Sequence, residues 1–370
     1  MNESTITPER QEFYDQIDPH TLAPLWERPP GTSVRTPVSP AKPCHWNYDD
    51  IVRPFMLQAS GLITAREAER RVLILENPGL RGQRRITGSL FAGLQLILPG
   101  EVAPAHRHTP AALRFIIEGH GAYTAVEGER ASMEPGDFIL TPSWSWHDHG
   151  NETKDPMVWL DGLDTPMVRM LDANFADPMN DDTQSVTRPI GDSPARFGVN
   201  MVPVDWKPAT KSSPVFSYPY VRSREALTTL SRNGDPDPYH GYKLRYINPA
   251  TGGSPMPTIG AFMALLPGGF DTLPYRSTDG TIYSVAEGSG ETIVGDTVLR
   301  WKPRDIFVVP SWHAHRHRAA SESVLFSFSD RPVQDVLGLW REERLRGQSK
   351  WKDNGTDGQS HHNRGGWENL

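Results

Sequence analysis

One pair of motifs occurs twice in this chain, and it constrains the fold more than any other feature. Ile116-Ile-Glu-Gly-His-Gly121 is answered by Val285-Ala-Glu-Gly-Ser-Gly290. Pro135-Gly-Asp-Phe-Ile-Leu-Thr-Pro-Ser-Trp144 is answered by Pro303-Arg-Asp-Ile-Phe-Val-Val-Pro-Ser-Trp312, and an Asp-X-Pro follows each copy, at Asp164 and Asp330. Such self-similarity means two copies of one structural unit in tandem. The first copy is built from short apolar runs: Arg71 to Leu75, Leu90 to Leu98, Arg114 to Glu118, Gly121 to Val126, Asp137 to Thr141 and Met157 to Leu160. Turns at Glu118-Gly119 and Pro135-Gly136-Asp137 separate several of them. Runs of this length and spacing predict closed antiparallel barrels. The 34 Pro and 32 Gly among 370 residues suit a turn-rich all-β chain better than a helical bundle.

The expected organisation follows. Residues 1–70 form an N-terminal arm with short helices and two apolar anchors, Leu22-Ala-Pro-Leu-Trp26 and His45-Trp46, suited to docking on a body or a neighbouring subunit. Residues 71–173 form the first barrel, and 174–240 a Pro-rich linker with one helix near Ser223 to Leu230. Residues 241–346 form the second barrel, ending in a helix over Val333 to Leu345. Residues 347–370 are polar, Gly-rich and aperiodic, and are expected to be disordered. The net charge of -7 gives no overall attraction to nucleic acid or anionic membrane. A single cysteine, Cys44, excludes an intrachain disulfide or a thiolate cluster. No run approaches the roughly 18 apolar residues of a membrane span, and the N-terminus lacks a signal pattern. The expected compartment is the cytoplasm.

The chemistry is concentrated in the first copy. His106 and His108 stand two apart on a predicted strand, so both project to one face. A closed barrel brings His147 toward them from an opposing strand. Three neutral imidazoles can then hold one divalent ion and leave positions open for substrate and oxygen. Imidazole accepts Fe(II), Mn(II) and Zn(II) alike, so spacing does not choose the metal. In the second copy Tyr275 and Ser277 stand where His106 and His108 do, while His315 and His317 keep the places of His147 and His149. One ligand position of three is not a metal site, and the second barrel is expected to be scaffold and subunit-packing surface.

The spacing Gly-X5-His-X-His, followed by Pro-X-Trp-X2-His-X3-Asn, resembles the two cupin motifs. The usual cupin glutamate ligand is replaced by Ala112, which disfavours oxalate-decarboxylase-like and germin-like enzymes and a sugar-phosphate isomerase. A three-histidine cupin without that carboxylate resembles the gentisate, salicylate and 1-hydroxy-2-naphthoate dioxygenases. Leu22 to Trp26, Asn77-Pro-Gly-Leu80, His106 to Phe115, Trp159 to Asp164 and Arg245 to Gly253 carry the likeness over residues 20–345. The resemblance implies an all-β bicupin, two tandem double-stranded β-helices with helical flanking segments, working as a homotetramer with Fe(II). It implies ring opening of an aromatic 2-hydroxy acid by dioxygen between the carboxyl- and hydroxyl-bearing carbons, gentisate to maleylpyruvate first. Salicylate, substituted salicylates and 1-hydroxy-2-naphthoate are the alternative substrates, and a bicupin ligand-binding protein is the non-enzymatic alternative. Losing the anionic ligand also leaves the ion its full charge, which suits a chelating, anionic substrate.

Substrate contacts are expected from residues facing the same interior. Arg114 is a buried-face cation that a carboxylate would satisfy by a bidentate pair; the alternative is an internal pair with Glu118. His149 shares the face of His147 and either donates to substrate or orients a ligand. Phe91, Gly93 and Gln95 share a strand face, where Gly93 would leave room for a ring, Phe91 pack on it and Gln95 bond to it; a satisfied core amide is the alternative for Gln95. Asp161 either meets a ring hydroxyl or fixes Arg114. Arg70 matches a pocket position of the family, with a surface role as its alternative.

Overall fold

The computed structural model describes residues 6–27, 34–199 and 201–346. The tail expected to be disordered lies outside these residues. The chain divides into a small N-terminal unit ending at Val38 and a large unit from Ser39 onward. In the small unit a helix over Pro8–Ile17 starts at a Thr7 cap. Trp26 stacks on Phe13 at 6.3 Å and donates to Tyr14 Oη at 2.9 Å, yet Leu22, Leu25 and Trp26 stay exposed.

In the large unit β1 is Cys44–Trp46 and β2 Val72–Ile74. The first repeat follows with β3 (Phe91–Ile97), β4 (Val102–His108), β5 (Ala112–Glu118), β6 (Ala122–Val126), β7 (Glu129–Met133), β8 (Phe138–Thr141), β9 (His147–Gly150) and β10 (Met157–Leu163). Then come β11 (Ala176–Pro178), β12 (Ser217–Tyr218) and β13 (Tyr242–Arg245). The second repeat holds β14 (Gly260–Leu266), β15 (Tyr275–Ser277), β16 (Thr281–Glu287), β17 (Gly290–Val294), β18 (Thr297–Trp301), β19 (Ile306–Val309), β20 (His315–Ala319), β21 (Ser323–Ser329) and β22 (Glu342–Arg344).

Each repeat makes one six-stranded and one five-stranded antiparallel sheet. The first has orders β12-β8-β5-β10-β3-β2 and β11-β4-β9-β6-β7; the second has β1-β19-β16-β21-β14-β13 and β18-β17-β20-β15-β22. Both carry the same irregularity, next to Val158 in one and Val285 in the other. Trp144 and Trp312 occupy matching turns, both in the left-handed region at φ 62° and 61°. The repeat in the sequence is thus a repeat of register and of backbone conformation.

The six-stranded sheets also join the barrels. Their outward faces merge into one core that includes Leu94, Phe115, Phe138, Ile282, Phe326 and Phe328, with Phe115 stacked on Phe326 at 4.2 Å. Fully burying each such side chain contributes roughly 1.5–3 kcal/mol. The Asp-X-Pro aspartates tie the barrels reciprocally: Asp164 accepts from the Thr258 hydroxyl at 2.5 Å, and Asp330 from the Ser89 hydroxyl at 2.7 Å. Segments outside the repeats cover sheet edges, a common guard against edge pairing. β1 pairs with β19 in the second barrel, and β12 with β8 in the first.

Some local expectations change. The stretch 174–240 holds the expected helix, over Tyr220–Ser231, and also supplies β11, β12 and a helix over Asp192–Phe197. The helix expected over Val333 to Leu345 spans only Arg331–Val336, because Gly338 turns the chain at φ 68° and β22 then pairs with β15.

Candidate metal centre and its surroundings

The first barrel gathers its polar groups where its two sheets face each other. His106 and His108 project together from β4, and His147 opposes His106 across the β4–β9 pair. Ring centroids lie 5.1 Å apart for His106–His108, 4.1 Å for His106–His147 and 4.8 Å for His108–His147. If each ring offers one nitrogen, the three nitrogens all lie within 4.8 Å of one another. Two nitrogens on one ion are at most about 4.2 Å apart, so small ring movements complete the set. No other such group of His, Cys, Asp or Glu occurs among the described residues.

Hydrogen bonds prepare two rings as ligands. His108 Nδ1 lies 2.7 Å from the Pro110 carbonyl and His147 Nδ1 2.9 Å from the Ser145 carbonyl. A carbonyl only accepts, so each Nδ1 carries the proton and each Nε2 keeps its lone pair. His147 Nε2 is buried without a partner, a costly arrangement that a metal ion would relieve. Burial, together with the neighbouring Arg70 and Arg114 charges, pushes His106 down to about 2 and His108 to about 4. His147 is held well below its ordinary value by burial first and then by His106, Arg114 and His108 around it. The imidazoles are therefore neutral, the form that binds metal. Ala112 is buried at the start of β5, so no carboxylate stands at that position.

His106 differs from the other two. Its Nδ1 faces Arg70 Nη2 at 2.6 Å, and the same Nη2 donates to the Pro104 carbonyl at 2.9 Å. Arg70 is thus partly buried against the ligand set, and the surface alternative does not hold. A guanidinium only donates, so in this contact Nδ1 is the acceptor. An ion taken on Nε2 would move the ring proton to Nδ1, and Arg70 would then need another partner.

Across the six-stranded sheet, Gly93, Asp161 and Arg114 form one register row, and Gln95, Trp159 and Ile116 the next. Arg114 is 4% exposed; it donates to Thr141 Oγ1 at 2.6 Å, and its Nε lies 3.5 Å from Asp161 Oδ1. That Nε has no hydrogen-bond partner. Glu118 does not serve Arg114, because Arg53 and the Tyr48 hydroxyl engage it on the other face at 2.6–2.9 Å. Asp161 also accepts from Trp159 Nε1 at 3.0 Å. Burial pushes its carboxyl up to about 6, against the pull of Arg114.

His149 is fully buried. Its Nδ1 lies 2.9 Å from Thr124 Oγ1, which is also 3.3 Å from Met133 Sδ. With the hydroxyl donating to sulfur, His149 Nδ1–H donates to the oxygen, and the partnerless Nε2 keeps its lone pair. Gln95 is 3% exposed, and its amide makes no protein hydrogen bond among the described residues. At Gly93 a Cβ would meet Val72 Cγ1 at 2.6 Å and the Phe91 ring at 3.2 Å, so what this glycine admits is protein side chain. Sequence reasoning missed Thr124 and Thr141, which hold His149 and Arg114. Each lies on a strand visible in the sequence, but its partner is fixed only by register.

Fold and site together define a bicupin whose first barrel carries a three-histidine set able to hold a metal ion. A cupin domain model matches residues 93–162. The gentisate 1,2-dioxygenase 1 of Aquipseudomonas alcaligenes is 55% identical over 92% of this chain and 97% of its own length. The 5-aminosalicylate 1,2-dioxygenase of a Comamonas species is 38% identical over 87% of each. Among solved structures, the salicylate 1,2-dioxygenase of Pseudoaminobacter salicylatoxidans with gentisate superposes with a TM-score of 0.86 at 32% identity, covering 94% of this chain and 96% of that one. The chain belongs to the gentisate and salicylate 1,2-dioxygenase family of cupin enzymes, and it is a ring-cleaving dioxygenase. No helix among the described residues is long and apolar enough to cross a membrane.

Proposed function

We propose that this enzyme is an iron(II)-dependent gentisate 1,2-dioxygenase. It opens the ring between the carboxyl- and hydroxyl-bearing carbons to give maleylpyruvate, with both atoms of dioxygen entering the product. The observation that carries the reading is the pairing of a three-histidine set, free of carboxylate, with a buried arginine whose Nε has no partner. Identity of 55% to a gentisate enzyme favours that substrate. So does chemistry, because a second hydroxyl para to the first makes the ring electron-rich.

His106, His108 and His147 would hold iron(II), which would supply open positions for the substrate's carboxylate and ortho oxygen and for dioxygen, and a route for electron density from ring to oxygen. Arg114 takes the substrate carboxylate, and Asp161 and Thr141 hold the guanidinium in place for it. Arg70, released from His106, offers a second cation to the same anion. His149 Nε2 accepts from a ring hydroxyl and can hold its proton while the ring opens. Gln95 bonds to the ring's other oxygen, and Phe91, with Val72 in the space beside Gly93, limits ring size on that side. On the same reading the working form is a cytoplasmic homotetramer, which sedimentation analysis would check.

The test is anaerobic reconstitution with iron(II), followed by oxygen uptake and ultraviolet absorbance with gentisate, salicylate and 1-hydroxy-2-naphthoate. Rapid uptake with gentisate, one oxygen per ring, is expected. Turnover of a monohydroxylated acid with gentisate inert would overturn the substrate assignment, and no uptake with any of them would favour a ligand-binding protein.

A further inference from the structure

The second barrel has lost the metal ligands but has not closed up. A cavity of about 380 Å³ opens in it, lined among others by Lys243, Tyr275, Asp279, Tyr283, His315 and Arg331. That volume lies in the roughly 300–1,000 Å³ range of small-molecule sites. Its position matches the first site: Tyr275 opposes His315 across β15 and β20 as His106 opposes His147.

The cavity is not a worn copy of the metal site, because its charge comes from a different place. Following the strand registers from the Ile116–Val285 match, Arg114 corresponds to Tyr283, Asp161 to Ser327 and Gln95 to Ala264. The same registers match Arg70 with Gly241 and Val72 with Lys243. The arginines, aspartate and glutamine of the first site are gone, and a lysine has entered where the first barrel has valine.

That lysine makes no direct pair with a carboxylate among the described residues, and Asp279 in the same lining only partly offsets its charge. Its Nζ sits 4.9 Å from the centre of the Phe262 ring, and among the described residues it makes no hydrogen bond or ion pair. The carboxylate of the lining, Asp279, is bonded to Trp340 Nε1 at 3.0 Å. Arg331 adds a second positive charge and is paired with Asp335 outside the lining at 3.3 Å. Desolvation, partly countered by Asp279 and reinforced by Arg331, pushes Lys243 down to about 8. His240 and His315 are held neutral by burial, so neither adds to the positive charge of the lining. A partly buried ammonium in this setting gains from an anion. The rings of Tyr275, Tyr283 and Phe262 form aromatic walls, which suit a planar ligand more than a hydrated inorganic ion.

We propose that the second barrel binds a single-ring aromatic carboxylate, with its carboxylate on Lys243 and its ring between the tyrosines. The site is non-catalytic, since no metal-ligand set is present there among the described residues. It makes the enzyme a two-site binder of its own substrate class, and it stands whether or not the first site prefers gentisate.

The experiment is anaerobic equilibrium dialysis of gentisate against the iron-loaded enzyme and two variants, Arg114→Met and Lys243→Met. Two gentisates per chain are expected for the unaltered enzyme. Lys243→Met should lose one of them and keep the site that Arg114→Met removes, which also shows that the variant is folded. Lys243→Arg should restore the second site, benzoate should displace gentisate from it, and inorganic phosphate at equal concentration should not. One gentisate per chain in the unaltered enzyme that Arg114→Met removes, a second site indifferent to Lys243→Met, or displacement by phosphate would each overturn the proposal. Loss of the Arg114-dependent site alone would count against the substrate assignment and leave this one standing.

Discussion

The two barrels share a backbone plan and differ in what their interiors hold. Both place a histidine on the strand after the Pro-Ser-Trp turn, and both anchor the histidine two residues later on a threonine. His149 meets Thr124 at 2.9 Å, and His317 meets Thr292 at 2.8 Å. In the first barrel two more histidines face that strand; in the second a tyrosine and a serine do. A metal centre therefore does not follow from the fold, or from any one histidine. It follows from three imidazoles converging, kept unprotonated by burial first and helped by neighbouring arginines, with carbonyls fixing the tautomers of His108 and His147.

The largest expected effect separates the barrels outright. His147→Ala removes a ligand and should lower gentisate turnover by about a thousandfold or more, a loss of roughly 4 kcal/mol in transition-state stabilisation. His317→Ala in the second barrel should leave turnover within about twofold while lowering the melting temperature; equal losses in both would break the comparison. Next, Arg114→Met should reduce kcat/KM for a carboxylate substrate by roughly 30- to 1,000-fold, the cost of about 2–4 kcal/mol for a lost buried charge partner. Most of it should be in KM, with iron content unchanged. A smaller effect, on kcat, is expected of Thr124→Val, which frees His149 and should cost roughly 10-fold. Thr292→Val should cost stability only, since Trp301 Nε1 also donates to that hydroxyl at 3.0 Å.

The smallest effect is a pH slope. Burial raises the Asp164 carboxyl to about 6, above its ordinary 3.8. Between these values the folded chain keeps a proton that the unfolded chain has released, so stability falls as pH rises from about 4 to about 6. Asp164→Asn stays neutral and should flatten that fall by up to about 1.4 kcal/mol per pH unit at most, read from chemical denaturation at several pH values. An unchanged slope would show that this aspartate, though it bridges the barrels, is not the titrating group.

How far the sequence was legible follows the same division. The two barrels and the ligand triad were visible because they depend on short-range patterns: a repeated motif, a His-X-His on a strand, a histidine after a turn. What escaped depends on closure. Arg70 was named as a pocket residue from the family likeness alone, but its contact with His106 was not foreseen, because Arg70 lies outside any strand. Glu118 was open to Arg114 by spacing, but Arg53, from a helix far upstream, engages it on the outer face. Gly93 suggested room for a ring, and Val72 fills it from a neighbouring strand. Lys243 drew no notice, because a lysine on a short strand is ordinarily solvated. Only the register that sets it opposite Ala264 puts it at a cavity.

The central claim is that metal and ring-opening chemistry reside in the first barrel alone. Counting tightly bound iron per chain after anaerobic loading and desalting, in the unaltered enzyme and in His147→Ala, tests it most directly. One iron per chain is expected, falling to none in the variant together with gentisate-dependent oxygen uptake. Two irons per chain, or one iron that survives His147→Ala, would contradict it.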